Sequence, residues 1–338
     1  MIKEKAVVIE PSFVIEDFRK KTPEEQIEMC GRLCYKSEEQ ITIDSAIGFV
    51  TEMIENRHNA VLEMATKTFF VNDPDYFTSF EHWEMSLMKY LVVDDYDNGL
   101  IITGSIRAFR EAFAQLKGDK LFVSIAICIW KEHPTLFADQ VEILEAFDLI
   151  DFVSDRNFEV RELSSFEFEE LHRKDAELYF RHKHVAVRFI VSRAVTYELV
   201  RHRLCSFLQE SQQYCLYSQD KFDNRVTFIK PVFYEKGSDE YDLWEHSVLQ
   251  AEKTYLKLLE TSTPQAARTV LPNSCKAELI IFCSLKQWGH LFHVHTSKHA
   301  ELSIREVMVP LYEEFIKQFS GVAHIFEEEH MPEKNRYL

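Results

Sequence analysis

Arg201-His202-Arg203 stand where a helical pattern ends, and gathering three such side chains costs mutual repulsion that a bound anion offsets. On charge alone two readings stand side by side: a solvated helix terminus complementing the macrodipole, or a phosphate site. Downstream, Leu204 to Ser211 carries hydroxyl, amide and carboxylate groups without Gly or Pro, the groups that read a base or a sugar. Gln209, Glu210 and Ser211 close that run, and Gln212-Gln213-Tyr214 follow it. A second basic cluster, Arg181-His182-Lys183-His184, is also able to bind a small anion. His290, His293, His295 and His299 invite a metal reading, since imidazole is a common ligand and His295 and His299 share a helical face. No matching carboxylate or cysteine motif accompanies them, so no metal is assigned.

The elements that must position these groups follow from caps and periodicity. Ser192 caps a helix that turns Ala194, Val195, Leu199 and Val200 toward the core and delivers Arg201 to Arg203. Val185 to Ile190 reads as the strand before it. Near the start, Thr22-Pro23-Glu24-Glu25 supplies a cap, a first-turn proline and a capping box, with Ile27, Cys30, Leu33 and Cys34 on one face. Asp44 caps a second helix carrying Ile47, Val50 and Ile54 and ending near Asn56-Arg57-His58. Thr66 to Val71 is β-branched and aromatic, hence a strand.

From Asn72 to about Phe180 the texture changes to acidic loops (Asp94 to Gly99), a strand at Leu100 to Thr103 and Phe-rich helical stretches. Gly104-Ser105 leads there into a helix with Arg107 and Arg110 one turn apart. The expected organisation is a domain of residues 1–72 and 181–338 with an insertion, 73–180, of unassigned role. Ser238 opens a long amphipathic helix through Leu243, Trp244, Val248, Tyr255 and Leu259, and Thr263-Pro264 opens another ending at Leu271-Pro272. Glu278 to Cys283 reads as a buried strand, Ser284 to Val294 as a helix with a Ser-x-x-Gln start, and Ala300 to Phe319 as the last long helix.

A formal net charge of −17 repels polyanions, which argues against nucleic acid as a partner. Seven scattered cysteines without a Cys-x-x-Cys pair fit reduced thiols and a cytoplasmic location. No stretch reaches the roughly 18 apolar residues that a membrane helix needs, so no membrane partner is expected.

The stretch Ser192 to Phe222, with Glu198-Leu199-Val200-Arg201-His202-Arg203 and then Ser211 after seven intervening residues, resembles the flavin-dependent thymidylate synthases. Cys30 to Lys36 looks like that family's N-terminal helix, and His58-Asn59-Ala60-Val61-Leu62-Glu63 like its His-Glu-Ser-x-Leu-Glu segment. Pro264 to Pro272 resembles its Ala-Arg-x-Val-Leu-Pro motif, which places Arg268, and Leu279 to Leu311 resembles its C-terminal strand and helices.

The resemblance implies an α+β fold, a mixed and antiparallel sheet flanked by long helices, with the inserted subdomain. It implies FAD as cofactor, NADPH and methylenetetrahydrofolate as cosubstrates, dUMP or a related pyrimidine nucleotide as the methyl acceptor, and a homotetramer. By the same resemblance His58, Arg201, His202, Arg203, Ser284, Lys286 and His290 hold the flavin. Glu198, Gln209, Glu210, Ser211, Gln213, Arg268 and His295 meet the nucleotide, and Arg201, Ser211 and His295 stand nearest the chemistry. No protein nucleophile is required, so the cysteines need no catalytic role.

Three positions depart from the family pattern. An Arg of the Ser-x-Arg-Tyr motif is replaced by Gln213, and losing one charge-assisted contact weakens binding by roughly 1.5 to 3 kcal/mol, about 10- to 150-fold. His295 stands where relatives carry an Arg that stabilises negative charge on the uracil ring. Ser284-Leu285-Lys286 replaces an Asn-x-Arg flavin contact, with side chains that still donate.

Overall fold

β-Branched and aromatic residues pack well on a pleated surface, and they supply the strands of two four-stranded antiparallel sheets. The computed structural model describes residues 5–72, 90–116, 118–149, 159–212 and 225–330. In chain order the strands are β1 (Val7–Ile9), β2 (Ser12–Ile15), β3 (Thr66–Asn72), β4 (Leu91–Tyr96) and β5 (Gly99–Ser105). They continue with β6 (Glu159–Glu162), β7 (His184–Ser192), β8 (Ser206–Gln209), β9 (Thr227–Ile229) and β10 (Lys276–Ser284). One sheet has the order β2-β7-β10-β8, the other β4-β5-β3-β6, and β1 pairs in parallel with β9.

The helices are α1 (Pro23–Tyr35), α2 (Ser45–Glu55), α3 (Ile106–Gln115), α4 (Lys120–Glu132), α5 (Val141–Leu149), α6 (Ser165–Lys174) and α7 (Ala176–His182). After β7 come α8 (Arg193–Leu199), α9 (Asp239–Leu259), α10 (Pro264–Ala267), α11 (Leu285–His295), α12 (Leu302–Gln318) and α13 (Ala323–His330). The result is the expected α+β class. Strands and helices of the segment after residue 73 are not peripheral: β5 and β6 flank β3, and Phe109, Phe113, Phe122 and Phe137 join Ile27, Val50 and Phe69 in one core. A second core lies under β7 and β10, where Trp288, Phe292, Phe315 and Phe326 pack together.

Local chemistry explains most boundaries. Thr22 and Glu25 form the reciprocal capping box of α1, and Ser192 and Ser284 cap α8 and α11 through the amides of Val195 and Gln287. Asp44 precedes α2 without a side-chain cap; the adjacent Ser45 hydroxyl instead accepts from the Thr42 amide and donates to Glu28. The acidic stretch expected as loop is a hairpin: Asp94 and Asp95 lie within β4, and the turn falls at Asp97, whose φ is 50°. Gly99 is obligatory there, since a Cβ would meet the Val71 carbonyl oxygen at 2.1 Å.

Four positions expected on buried helix faces are exposed. Ile47 and Leu243 are open to solvent, as are Ala194 and Val200 on and just after α8. The helix expected from Thr263 to Leu271 is one turn, α10, followed by a tighter turn at Arg268–Val270, and α12 begins at Leu302 rather than Ala300.

Candidate functional site

β7 runs to Ser192, whose hydroxyl caps α8, and α8 ends after two turns. The chain then bends tightly: the amides of Arg201 and His202 donate to the carbonyls of Glu198 and Leu199, and Cys205 donates to that of His202. β8 starts immediately beyond. Arg201 and Arg203 are thereby held on an exposed bend, and neither side chain has a carboxylate partner among the described residues. The other closely spaced arginines of the chain behave differently. Arg107 bonds Glu63 and Glu111 at 2.7 and 2.6 Å, and the buried Arg110 bonds Asp139 at 2.8 Å. Cations without internal anions are the ones with charge to offer a ligand.

His202 turns inward between the two arginines and meets α11. Its Nε2 lies 2.7 Å from Nε2 of His295, and its ring lies edge-on to His290 with centroids 5.7 Å apart. At 2.7 Å one imidazole donates and the other accepts, so at most one proton sits between them. Burial, and then the neighbouring His202 and His290, pushes His295 down to about 4, and burial and His290 lower His202 as well. His295 is thus neutral at pH 7 and offers a hydrogen bond where the family pattern has a full charge. Lys286 and His290 are exposed on the same helix, while Ser284 is buried in its cap.

A second group of expected site residues gathers at the far end of α1. The Cys34 carbonyl accepts from the Ser211 amide at 3.1 Å, and the Tyr35 hydroxyl bonds Nδ1 of His58 at 3.2 Å. Gln209 Nε2 donates to the Thr196 hydroxyl at 2.9 Å, tying β8 to α8. Glu210 is 1% exposed, and its carboxylate takes Lys276 at 2.8 Å and the Glu278 amide at 3.2 Å. Glu278 in turn takes Lys276 and Lys36, each at 2.8 Å. Burial raises the Glu278 carboxyl, but those two ammonium groups outweigh it and hold the group at about 2. Glu198 and Arg268 are exposed, and Gln213 lies outside the described residues. Sequence reasoning missed Tyr35, Lys36 and Lys276 as partners of the site, because each meets a residue distant along the chain.

Five of the described thiols are poor nucleophiles. Burial lifts Cys34 to about 11 and Cys275 to about 12, and raises Cys30, Cys128 and Cys283 as well. Among the described residues no three His, Cys, Asp or Glu side chains converge as a metal site. A cavity of about 720 Å³ opens elsewhere, between the β2–β7 edge and β3, and contains none of the residues above.

His295 shares its depressed basicity with His182 and His184, which burial pushes down to about 4. An unfolded chain takes up protons at these rings near pH 6.5, whereas the folded rings wait until about pH 4. The unfolded state then holds more protons across that window, so stability is full above it and falls as pH drops through it. Urea midpoints measured at half-unit pH steps are expected to decline steadily between those limits. A flat profile there contradicts the neutral, buried placement of these rings.

Residues 155–319 match the family model described as thymidylate synthase complementing protein. The flavin-dependent thymidylate synthase of Pyrococcus abyssi is 30% identical over 128 residues, 38% of this chain and 52% of that protein. That of Pyrococcus furiosus is likewise 30% identical over 128 residues, and that of Mycobacterium tuberculosis is 29% identical over 160 residues, 42% of this chain and 60% of the relative. The matches thus span between half and three-fifths of the curated relatives' length. The matched segment holds the cationic bend, β7, β8, β10 and α11, the elements that build the histidine cluster. Residues 155–319, just under half of the chain, are thus similar to the flavin-dependent thymidylate synthases.

Proposed function

We propose that the chain is an FAD-dependent methylase of a pyrimidine nucleotide, converting dUMP to dTMP with methylenetetrahydrofolate as carbon source and NADPH as reductant. The observation that carries this reading is the pair Arg201 and Arg203, exposed on either side of His202 without a carboxylate partner among the described residues. That donor set, with Lys286 and His290 on α11, fits a diphosphate-bearing flavin dinucleotide. When bound, the flavin supplies the redox chemistry. The arginines bind and orient its phosphates, and His202 and His295 share one proton beside the pyrimidine position. Ser211, Gln209 and Arg268 offer hydrogen bonds to the nucleotide.

The two groups of site residues, one at the α8–α11 end and one at the end of α1, suit a site completed between subunits of a homotetramer. A cytoplasmic enzyme with no nucleic-acid or membrane partner completes the proposal, with residues 73–180 as an insertion in a domain of residues 1–72 and 181–338. The neutral His295 favours a second reading, a related flavoenzyme acting on a different pyrimidine nucleotide. A non-catalytic flavin or nucleotide binder is the remaining alternative.

Purified protein is expected to show flavin absorbance that shifts on adding dUMP, and reduced enzyme with the folate is expected to form dTMP. A yellow protein that forms no dTMP, and whose flavin is reoxidised by neither dUMP nor UMP, rules out the thymidylate reading and leaves the flavin scaffold standing.

A further inference from the structure

Cys205 closes the cationic bend and Cys283 lies near the end of β10, and the sheet sets the two face to face. β8 and β10 pair antiparallel with Gln209 opposite Leu279 and Ser206 opposite Phe282, so the next step of the same register puts Cys205 opposite Cys283. Hydrogen-bonded and non-hydrogen-bonded pairs alternate along such a ladder. The Glu210 amide donates to the Glu278 carbonyl at 2.8 Å, which marks those two as a bonded pair, and alternation from there makes Cys205 and Cys283 a non-bonded one. The Cys205 amide agrees, since it donates to the His202 carbonyl at 3.2 Å instead.

In a non-bonded pair the Cα atoms stand about 4.5 Å apart, inside the range of about 4.4 to 6.8 Å over which a disulfide closes. Both thiols lie on one face: Cys205 packs on the core that holds Ile281, Cys283 and Leu285, and the two side chains hydrogen-bond each other. Cys128 donates to the Val160 carbonyl, and Cys275 is buried in a separate core with Val226 and Tyr255. The two opposed thiols are not equivalent. Cys283 is 1% exposed and burial raises its thiol, whereas Cys205 is half-buried at the bend. A small oxidant therefore reaches Cys205 first, and Cys283 is placed to resolve what forms there.

We propose that Cys205 and Cys283 form a reversible thiol–disulfide pair, a redox modification site whose oxidant is a low-molecular-weight disulfide. Cys205 gives its proton to water and attacks one sulfur of the oxidant, forming a mixed disulfide and expelling one small thiolate. Cys283 then loses its proton and attacks the Cys205 sulfur, expelling the second. Two electrons and two protons leave the protein, and the oxidant departs as two thiols. Closure brings opposed Cβ atoms from about 4.5–5.5 Å to about 3.5–4.5 Å, which draws the bend toward β10 by about 1 Å. Ser284, next to Cys283, caps α11, and Cys205 holds the His202 carbonyl, so the staple joins the two elements whose histidines meet. The inference does not depend on which cofactor the bend holds.

Peptide mapping of the folded full-length chain after incubation with oxidised glutathione tests it. A Cys215→Ser background leaves one cysteine in each of the tryptic peptides 204–221 and 277–286. Those peptides are expected to appear linked, about 2 Da below their summed mass, and to separate on adding dithiothreitol. In that background Cys283→Ser is expected to leave Cys205 as a stable glutathione adduct, and Cys205→Ser to leave Cys283 unmodified. Unchanged circular dichroism before digestion shows that each protein reacted in its folded form. A glutathione adduct that persists on Cys205 while Cys283 is intact, a folded chain in which neither thiol reacts, or a link from Cys283 to another cysteine would overturn the assignment.

Discussion

Replacing Arg201 and Arg203 together by alanine is expected to yield a folded protein that purifies colourless and binds FAD roughly 100-fold to 10,000-fold more weakly. Each guanidinium contact to a phosphate contributes about 1.5 to 3 kcal/mol, and the two act on neighbouring oxygens of one ligand. Both side chains are exposed and have no carboxylate partner among the described residues, so their removal leaves no buried charge behind and the fold stays intact. Fluorescence titration of added FAD measures the loss. A double variant that retains FAD within tenfold of the parent would falsify the placement of the phosphates at this bend. Lysine at both positions is expected to recover only part of the affinity, because a point charge does not reproduce the planar fork.

The largest stability effect is expected at Lys276. Its ammonium sits between Glu210 and Glu278, both almost wholly buried, at 2.8 Å from each. Lys276→Met removes the shared cation and leaves two carboxylates facing each other, with Lys36 at 2.8 Å and Arg188 at 3.7 Å from Glu278. Breaking a buried ion pair from one side costs about 3 to 5 kcal/mol. Chemical denaturation at pH 7 is expected to show a loss of that order, and Glu210→Gln in the same background to recover part of it. If Lys276→Met unfolds at the parent's denaturant midpoint, the ammonium does not hold these two carboxylates together.

Much of the scaffold was legible because its signals are local. Thr22 and Glu25, Ser192 with the Val195 amide, and Ser284 with the Gln287 amide are caps whose partners lie three residues apart, and each forms as expected. The strands at β3, β7 and β10 likewise announce themselves through β-branched and aromatic residues. Exposed apolar positions were misread for one physical reason: periodicity marks the apolar face of a helix but not what covers it. Ala194 and Val200 belong to such a face and remain open in the single chain.

The cationic bend was legible through its resemblance to a family motif, and the long-range contacts around it were not. His202 meets His295 across 93 positions, Glu210 meets the Glu278 amide across 68, and Lys36 meets Glu278 across 242. No local pattern encodes such pairs. The replacement of an expected Arg by His295 was visible in the sequence, but its neutrality became clear only once burial and the His202 contact were in place. Glu210 shows the opposite outcome, a residue of ligand-binding type whose carboxylate is taken up by an internal lysine.

The order β2-β7-β10-β8 sets a timetable for the nascent polypeptide. β10, which sits between β7 and β8, is made last of the four, so a ribosome translates everything from Ser192 to Lys276 while the facing edge of β7 has no neighbour. At roughly 5–20 residues per second that gap lasts on the order of five to fifteen seconds. During it a nine-residue, mostly apolar ribbon stays open to the wrong pairing, the interval in which a holdase chaperone has most to protect.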